Sequence, residues 1–373
     1  MKVLAIVPHE FDTSPGQRFR IEQWEPYLRE RGVDITYSAF TTRTLGKILY
    51  ASGHQLEKAA HIAGAYLRQS SRILDARRYD LTYVFREAAL IGPAFIESAI
   101  AWQGVPIVFD FDDAIFVPYK SPANGYLSYL KFFGKTGRLC RLATHVLSGN
   151  SYLADYARQF NSEVSLVPTT IDTDRYRPEL RAHRQEGVPV IGWTGSHSTL
   201  QHLETAIPAL SRLAKRHPFR LVVIGAKAPH IEGVPTESRT WSAETEVQDL
   251  LDIDVGIMPL PDDPWSRGKC GLKALQYMAL GIPAVVSPVG VNSEIVKEDV
   301  NGFLAGTDEE WIEKLGSLLT NPTLRSRLGR AARRTVEERY SARVVAPHVF
   351  QVFQKALTRG LSAEVEVRPG HLS

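Results

Sequence analysis

The residues best suited to chemistry stand in one run, Arg267-Gly268-Lys269-Cys270-Gly271-Leu272-Lys273. A glycine-containing loop that opens a helix presents backbone N–H groups to an anion, and three cations beside it suit a diphosphate. Each of Arg267, Lys269 and Lys273 opposes the macrodipole of a helix starting there, so a purely structural helix has no use for them. Gly281 and Pro283 stop that helix. A second loop, Pro288 to Ser293, opens another short helix and offers further amides, with Asn292, Ser293 and Glu294 at its start. Near the beginning of the chain, SPGQRFR sets Arg18 and Arg20 just past a Ser-Pro-Gly turn. Guanidinium forks there suit a phosphate or carboxylate, with packing of one of them along the next helix as the plain alternative. Asp110, Asp112 and Asp113 follow an apolar run. Such carboxylates ligate a hard cation, orient a hydroxyl-rich ligand or cap a helix.

These residues need a scaffold, and the apolar pattern supplies one. Short apolar runs alternate with helix-length segments, the mark of parallel sheets with covering helices. The first half offers Val3 to Val7, Asp34 to Ser38, Leu81 to Phe85, Pro106 to Phe109, His145 to Leu147 and Val164 to Val167 as strands. The polar segment Pro178 to Pro189 reads as a linker. The pattern then restarts with Val190 to Trp193, Leu221 to Ile224, Val255 to Met258 and Pro283 to Val286 as strands. Helices are expected over Thr199 to Arg216, Leu272 to Leu280, Glu309 to Leu319 and Arg343 to Leu357, and Ala363 to Ser373 as a disordered tail. The expected architecture is two tandem α/β domains with a cleft between their sheet edges, and ligands bound beyond the carboxyl ends of the strands.

Composition narrows the functional classes. Among 373 residues, 44 Lys and Arg stand against 41 Asp and Glu, which disfavours nucleic acid as a partner. The two cysteines, Cys140 and Cys270, are far apart, which excludes a disulfide scaffold or a cysteine-rich zinc site and suits a reducing compartment. No apolar run is long enough to span a bilayer, and MKVLAIVPHEF reads as a first strand rather than an export signal. No GxGxxG follows that strand, so a nicotinamide dinucleotide is disfavoured. Thr41 to Tyr79 carries seven basic residues against two acidic ones and reads as one or two helices. Tyr126 to Leu139 interleaves aromatics with Lys131, Lys135 and Arg138. A solvated face or core packing explains both segments, and an anionic membrane or acceptor is the functional alternative.

The stretch QYMALGIPAVVSPVGVNSEIV, preceded by GKCGLK and followed by NGFL, resembles the donor-binding region of glycosyltransferase family 4, retaining enzymes of GT-B fold. SPGQRFR, Arg86-Glu87, FDFDDAIF, GNSYLADYA and VPTTIDTDRY are similar to a bacterial branch of that family. The resemblance implies two Rossmann-like doubly wound domains. Residues 1–178 would bind the acceptor and 188–340 the donor, while a helix over 341–358 packs back on the first domain and 359–373 form a flexible tail. It implies transfer of a sugar from a nucleoside-diphosphate sugar, such as a UDP- or GDP-sugar, to the hydroxyl of a glycan, lipid-linked or small-molecule acceptor, in bacterial glycan or glycoconjugate biosynthesis. No cofactor or metal is called for.

Carried over by position, the family's pair of glutamates falls on Gly268 and Gln276, so both are replaced here. Gln276 can still hydrogen-bond a ribose, whereas Gly268 has no side chain to reach a donor sugar. An Arg and a Lys common after the first strand of the second domain are also missing, leaving Arg267, Lys269 and Lys273 as the charge-stabilising groups. Asp112 and Asp113 would orient hydroxyls. Donor contacts are expected from Gly195, Ser196, Trp241, Ser242, Cys270, Gly271, Leu272, Gln276, Asn292, Ser293 and Glu294, and acceptor contacts from Arg18, Arg20, Arg86, Glu87 and Asn150. A sugar-nucleotide epimerase or hydrolase, or a non-catalytic sugar-nucleotide-binding protein, is the alternative on the same scaffold. The expected location is the cytoplasm, with peripheral contact at the inner face of the membrane.

Overall fold

Strands form where apolar runs are continuous, because a parallel strand covered by helices is buried on both faces. In β1 (Lys2–Val7) every residue after Lys2 is buried. The computed structural model describes residues 1–49, 55–118, 132–181 and 187–367. Its chain divides into two units, Met1–Pro168 with Val345–Ser373, and Thr169–Val344.

In the first unit β1 is followed by α1 (Pro15–Gln17), α2 (Gln23–Arg29), β2 (Asp34–Ala39), α3 (Arg43–Leu49) and α4 (Gln55–Asp75). Next come β3 (Leu81–Phe85), α5 (Phe95–Trp102), β4 (Ile107–Phe111), α6 (Lys135–Leu142), β5 (His145–Ser148), α7 (Ser151–Arg158) and β6 (Val164–Leu166). The strands pair in parallel in the order β2-β1-β3-β4-β5-β6. The order reverses between β1 and β3, where an open parallel sheet leaves a crevice at its carboxyl edge.

The second unit repeats the plan. Its elements are β7 (Val190–Thr194), α8 (Leu200–Glu204), α9 (Ile207–Ala214), β8 (Arg220–Ile224), β9 (Thr236–Arg239), α10 (Glu246–Leu251) and β10 (Val255–Met258). They continue with α11 (Pro264–Arg267), α12 (Leu272–Ala279), β11 (Ala284–Val286), α13 (Asn292–Ile295), β12 (Gly302–Leu304), α14 (Asp308–Thr320) and α15 (Pro322–Arg339). The order β12-β11-β10-β7-β8-β9 is again parallel throughout, reversing between β7 and β10. A helix expected over Thr199 to Arg216 is two, α8 and α9. The chain turns at Thr205 and Ala206, and Pro208 lies in the first turn of α9, where its missing N–H costs nothing.

Two segments lie elsewhere than the sequence suggests. The division falls between Pro168 and Thr169, ten residues before the expected 178, because Ile171 and Ser341 form a β-bridge. Arg333 on α15 then donates to the carbonyls of Thr173, Tyr176 and Ala279. The last helix, α16 (Ala342–Val367), continues past 358, and from Val345 it belongs to the first unit. Phe353 packs on Tyr83, and Lys355 and Arg359 each pair with Glu163 at 2.8 Å. Of the segments singled out in the sequence, residues 50–54 of the basic stretch, 126–131 of the aromatic-basic segment, 182–186 of the linker and 368–373 of the tail lie outside the described residues.

Candidate functional site

In the second unit the key helix is α12, and the way it is fixed explains its glycine. Gly271 at its N-cap is left-handed (φ 71°), and a Cβ there would come 2.2 Å from Ile295 Cδ1. Only glycine fits both the dihedral and the space. No side chain caps the helix at Gly271. Further along, the buried Tyr277 Oη accepts the Thr194 N–H at 3.0 Å, and its ring lies where a Cβ on Gly256 would be. These contacts lock α12 against β7 and β10, at the point where strand order reverses.

The expected cations distribute unevenly around this helix. Lys273 Nζ sits 5.3 Å from the ring centroid of Trp193, a fully buried residue of β7. The same indole would be 2.5 Å from a Cβ on Gly195, so Lys273 and the Gly195 loop both border this ring. Lys269 Nζ lies 4.7 Å from the Trp265 ring. Arg267 is placed differently from the expectation: it is half exposed and held by Asp262, at 2.7 and 3.1 Å, on the loop before it. Its backbone nevertheless supports the second loop, because Gly290 (φ 55°) packs where a Cβ would meet Arg267 O at 2.8 Å. Asn292 is buried and donates to Ser287 O at 3.1 Å, which ties that loop to the end of β11. Ser293 lends its carbonyl to Lys297, Glu294 is exposed, and Cys270 is buried against Gly268 O. Leu272 is partly exposed in the first turn.

Trp241 and Gln276 come together through a residue that the sequence reading passed over. Buried Glu246, first residue of α10, accepts at Oε1 from Trp241 Nε1 (3.1 Å) and Gln276 Nε2 (3.0 Å). Gln276 Nε2 also donates to Tyr176 Oη at 3.1 Å. Gly225 (φ 87°) lies so close that a Cβ would meet Gly195 O at 2.5 Å and Trp241 Cβ at 3.3 Å. Ser242 Oγ accepts from Thr245 N–H, and Ser196 Oγ bonds Ser198 Oγ in an exposed turn. Nothing in the spacing marks Glu246, since it stands thirty residues from Gln276 and meets it only in the fold.

The first unit gathers a second polar cluster at its own reversal point. Arg86, just after β3, has a left-handed backbone (φ 58°), a conformation that costs a non-glycine residue about 1 kcal/mol or more. Its guanidinium holds Asp112 Oδ1 at 2.6 and 2.7 Å and approaches Asp113 at 3.8 Å. Gly16 of the Ser-Pro-Gly turn packs directly on this pair, since a Cβ would be 2.8 Å from Arg86 Nη2 and 3.1 Å from Asp112 Oδ2. His9, the second residue after β1, joins them from the other strand. Burial, and then the Arg86 charge, push its imidazole down to about 4, so it is neutral at physiological pH, with Nδ1 3.2 Å from Thr41 Oγ1. Its position past the first strand was the available signal, and the expected acceptor set left it out.

Other acceptor candidates serve the fold. Arg20 is a correction: it has no accessible surface, forks onto Asp110 at 2.7 and 2.6 Å and donates to Val167 O at 2.8 Å. No ligand reaches it. Tyr83 Oη also donates to Asp110, which removes that carboxylate from any shared Asp110–Asp112–Asp113 site. Arg18 is buried with Nε 2.6 Å from Asp12, and Glu87 is paired with Lys135 at 2.6 Å. Asn150 caps α7, its Oδ1 accepting from Leu153 N–H at 2.9 Å. Among the described residues, no three His, Cys, Asp or Glu side chains are grouped so as to hold a metal ion. No helix of the described residues is long and apolar enough to cross a membrane.

Two six-stranded parallel sheets, each with its candidate residues at the carboxyl edge, define a pair of Rossmann-like units, and solved structures share this GT-B fold. Sucrose-phosphate synthase from Thermosynechococcus elongatus matches with a TM-score of 0.69 at 14% identity, covering 96% of this chain and 100% of that one. Anabaena HepE in complex with UDP and glucose matches with a TM-score of 0.65 at 15% identity, covering 95% and 99%. In sequence, the family described as Glycosyl transferases group 1 matches residues 188–321. Spore coat protein SA of Bacillus subtilis is 32% identical over 279 residues, 65% of this chain and 73% of that protein. The chain belongs to the group 1 glycosyltransferases, of the family 4 type.

Proposed function

We propose that this glycosyltransferase is a retaining enzyme that moves a sugar from a nucleoside-diphosphate sugar to an acceptor hydroxyl in bacterial glycan or glycoconjugate biosynthesis. The observation that carries the reading is that Lys273, in the first turn of the glycine-capped helix α12, and the Gly195 loop both border the Trp193 ring. A diphosphate placed there meets backbone N–H groups and an ammonium already in position, with Lys269 beyond it. The Glu246–Gln276 pair supplies acceptors for ribose hydroxyls, and Trp241, anchored by the same carboxylate, borders the base. Because HepE holds UDP and glucose, a uridine donor is the first to try.

In this reading the C1–O bond to the diphosphate breaks while the acceptor oxygen bonds C1 from the same face. The acceptor proton passes to the departing phosphate oxygen. The protein contributes charge stabilisation of the leaving group rather than a nucleophile. In the first unit, Arg86 fixes Asp112 to accept from an acceptor hydroxyl, and neutral His9 lies beside them.

Because Asp110 is engaged by Arg20 and Tyr83, and Asp112 and Asp113 by Arg86, these carboxylates are committed to cations of the protein itself. Transfer is therefore expected to persist in excess EDTA, assayed with a panel of sugar nucleotides by release of nucleoside diphosphate dependent on acceptor. Abolition by EDTA and recovery with manganese would move the role of Asp112 and Asp113 to metal binding.

A further inference from the structure

Helix α4 carries a stripe of large apolar side chains on its outer face. Its innermost positions are Lys58, Ala65 and Gln69, with Gln69 exchanging hydrogen bonds with Ser38. Ile62 and Ile73 are half-buried, whereas Leu56, Leu67 and Leu74 point the other way and are 89%, 75% and 82% exposed. At about 100° per residue their spacing keeps them within about 20° of one line, with exposed Ala60 and Ala63 between them.

Helix α5 extends this stripe into a face. Tyr66 Oη donates to Ile91 O just before α5 begins, and Gln103 Nε2 donates to Ile73 O at 2.8 Å just after it ends. The two helices therefore run side by side in the same direction. On α5, Phe95 and Trp102 stand two turns apart and are 69% and 90% exposed. Arg138 donates to Ser98 Oγ at 3.1 Å, between those two aromatics, and exposed Arg77 and Arg78 follow the end of α4. Of the acidic groups on α4, Asp75 is paired with Arg72 and Arg78, and Glu57 stands at the far end of the helix.

We propose that the α4–α5 face docks on an anionic lipid bilayer, a reading independent of the sugar-transfer chemistry. Exposed Trp, Phe and Leu side chains enter the headgroup boundary while guanidinium groups meet lipid phosphates. A second copy fits less well, because a two-fold interface would set this arginine-bearing face against itself. The sequence suggested membrane contact from the basic Thr41–Tyr79 stretch and the aromatic-basic Tyr126–Leu139 segment; the structure adds the exposed apolar stripe of α4 and α5.

The test uses the intact chain and vesicles of phosphatidylcholine alone or mixed with phosphatidylglycerol. Co-sedimentation is expected with the mixed vesicles at low salt, little with the neutral ones, and release as salt screens the charges. The combined change Leu67→Ser, Leu74→Ser and Trp102→Ser should weaken binding by about tenfold or more at an unchanged melting temperature, since these exposed side chains carry no core. Should that combination fail to fold, Trp102→Ser alone carries the test. Arg77→Gln and Arg78→Gln should each cost about fivefold. Indifference of the wild type to anionic vesicles would overturn the proposal, as would wild-type binding by the apolar variants. A dimer that those variants dissociate, without vesicle binding, would assign the face to a second copy instead.

Discussion

Replacing Lys273 by alanine is expected to lower sugar transfer by about a hundredfold to a thousandfold, the scale of removing one preorganised transition-state donor. Lys273 lies in the first turn of α12, partly exposed, with its ammonium over the Trp193 ring. Truncation leaves Tyr277, Gly271 and Gly256, which fix the helix, untouched, so the fold should survive. The loss should appear mainly in kcat, because in the proposed reaction charge on the diphosphate grows as the C1–O bond breaks. Lys273→Arg keeps the charge and should keep part of the activity. Lys269→Ala should follow the same direction. Arg267→Ala should do less, because its guanidinium is occupied by Asp262. Wild-type turnover in Lys273→Ala would remove this lysine from the mechanism.

Arg20→Met is expected to damage stability rather than catalysis. Its guanidinium and the Asp110 carboxylate are both without accessible surface, and the fork between them is closed at 2.6 and 2.7 Å. Removing the arginine strands a buried carboxylate, a loss of about 3–5 kcal/mol. For a unit of this size the melting temperature should fall by about 10 °C. A compensating Asp110→Leu should restore much of the loss, since an apolar pair of similar volume can replace a buried ion pair. Melting at the wild-type temperature, coupled with a loss of acceptor affinity, would return Arg20 to the binding site.

Arg20 also shows where sequence reading stops. In SPGQRFR, Arg18 and Arg20 read alike, yet the backbone at Arg20 leaves helical dihedrals (φ −131°, ψ −112°) and turns its side chain into the sheet. No local pattern signals that kink. The same limit applies to Asp262, which captures Arg267 from the preceding loop, and to Glu246, which joins Trp241 to Gln276 only through the fold. By contrast, β3 and β10 fall on the expected residues because a strand buried on both faces is predominantly apolar. Gly271 was legible for a related reason: a loop that opens a helix toward an anion needs a residue without a side chain. Helix α15 escaped notice because its buried stripe is only Leu328, Gly329, Ala332 and Val336, set among charged residues. Strand β12 hid within the NGFL motif, too short to read as a strand.

The proposed reaction transfers a sugar with retention, a leaving diphosphate being stabilised at the start of α12. Proton NMR of the anomeric signals during transfer tests it most directly. The first-formed product is expected to carry the donor's anomeric configuration, with nucleoside diphosphate released in step. A product of inverted configuration, or release of free sugar with no acceptor product, would contradict it.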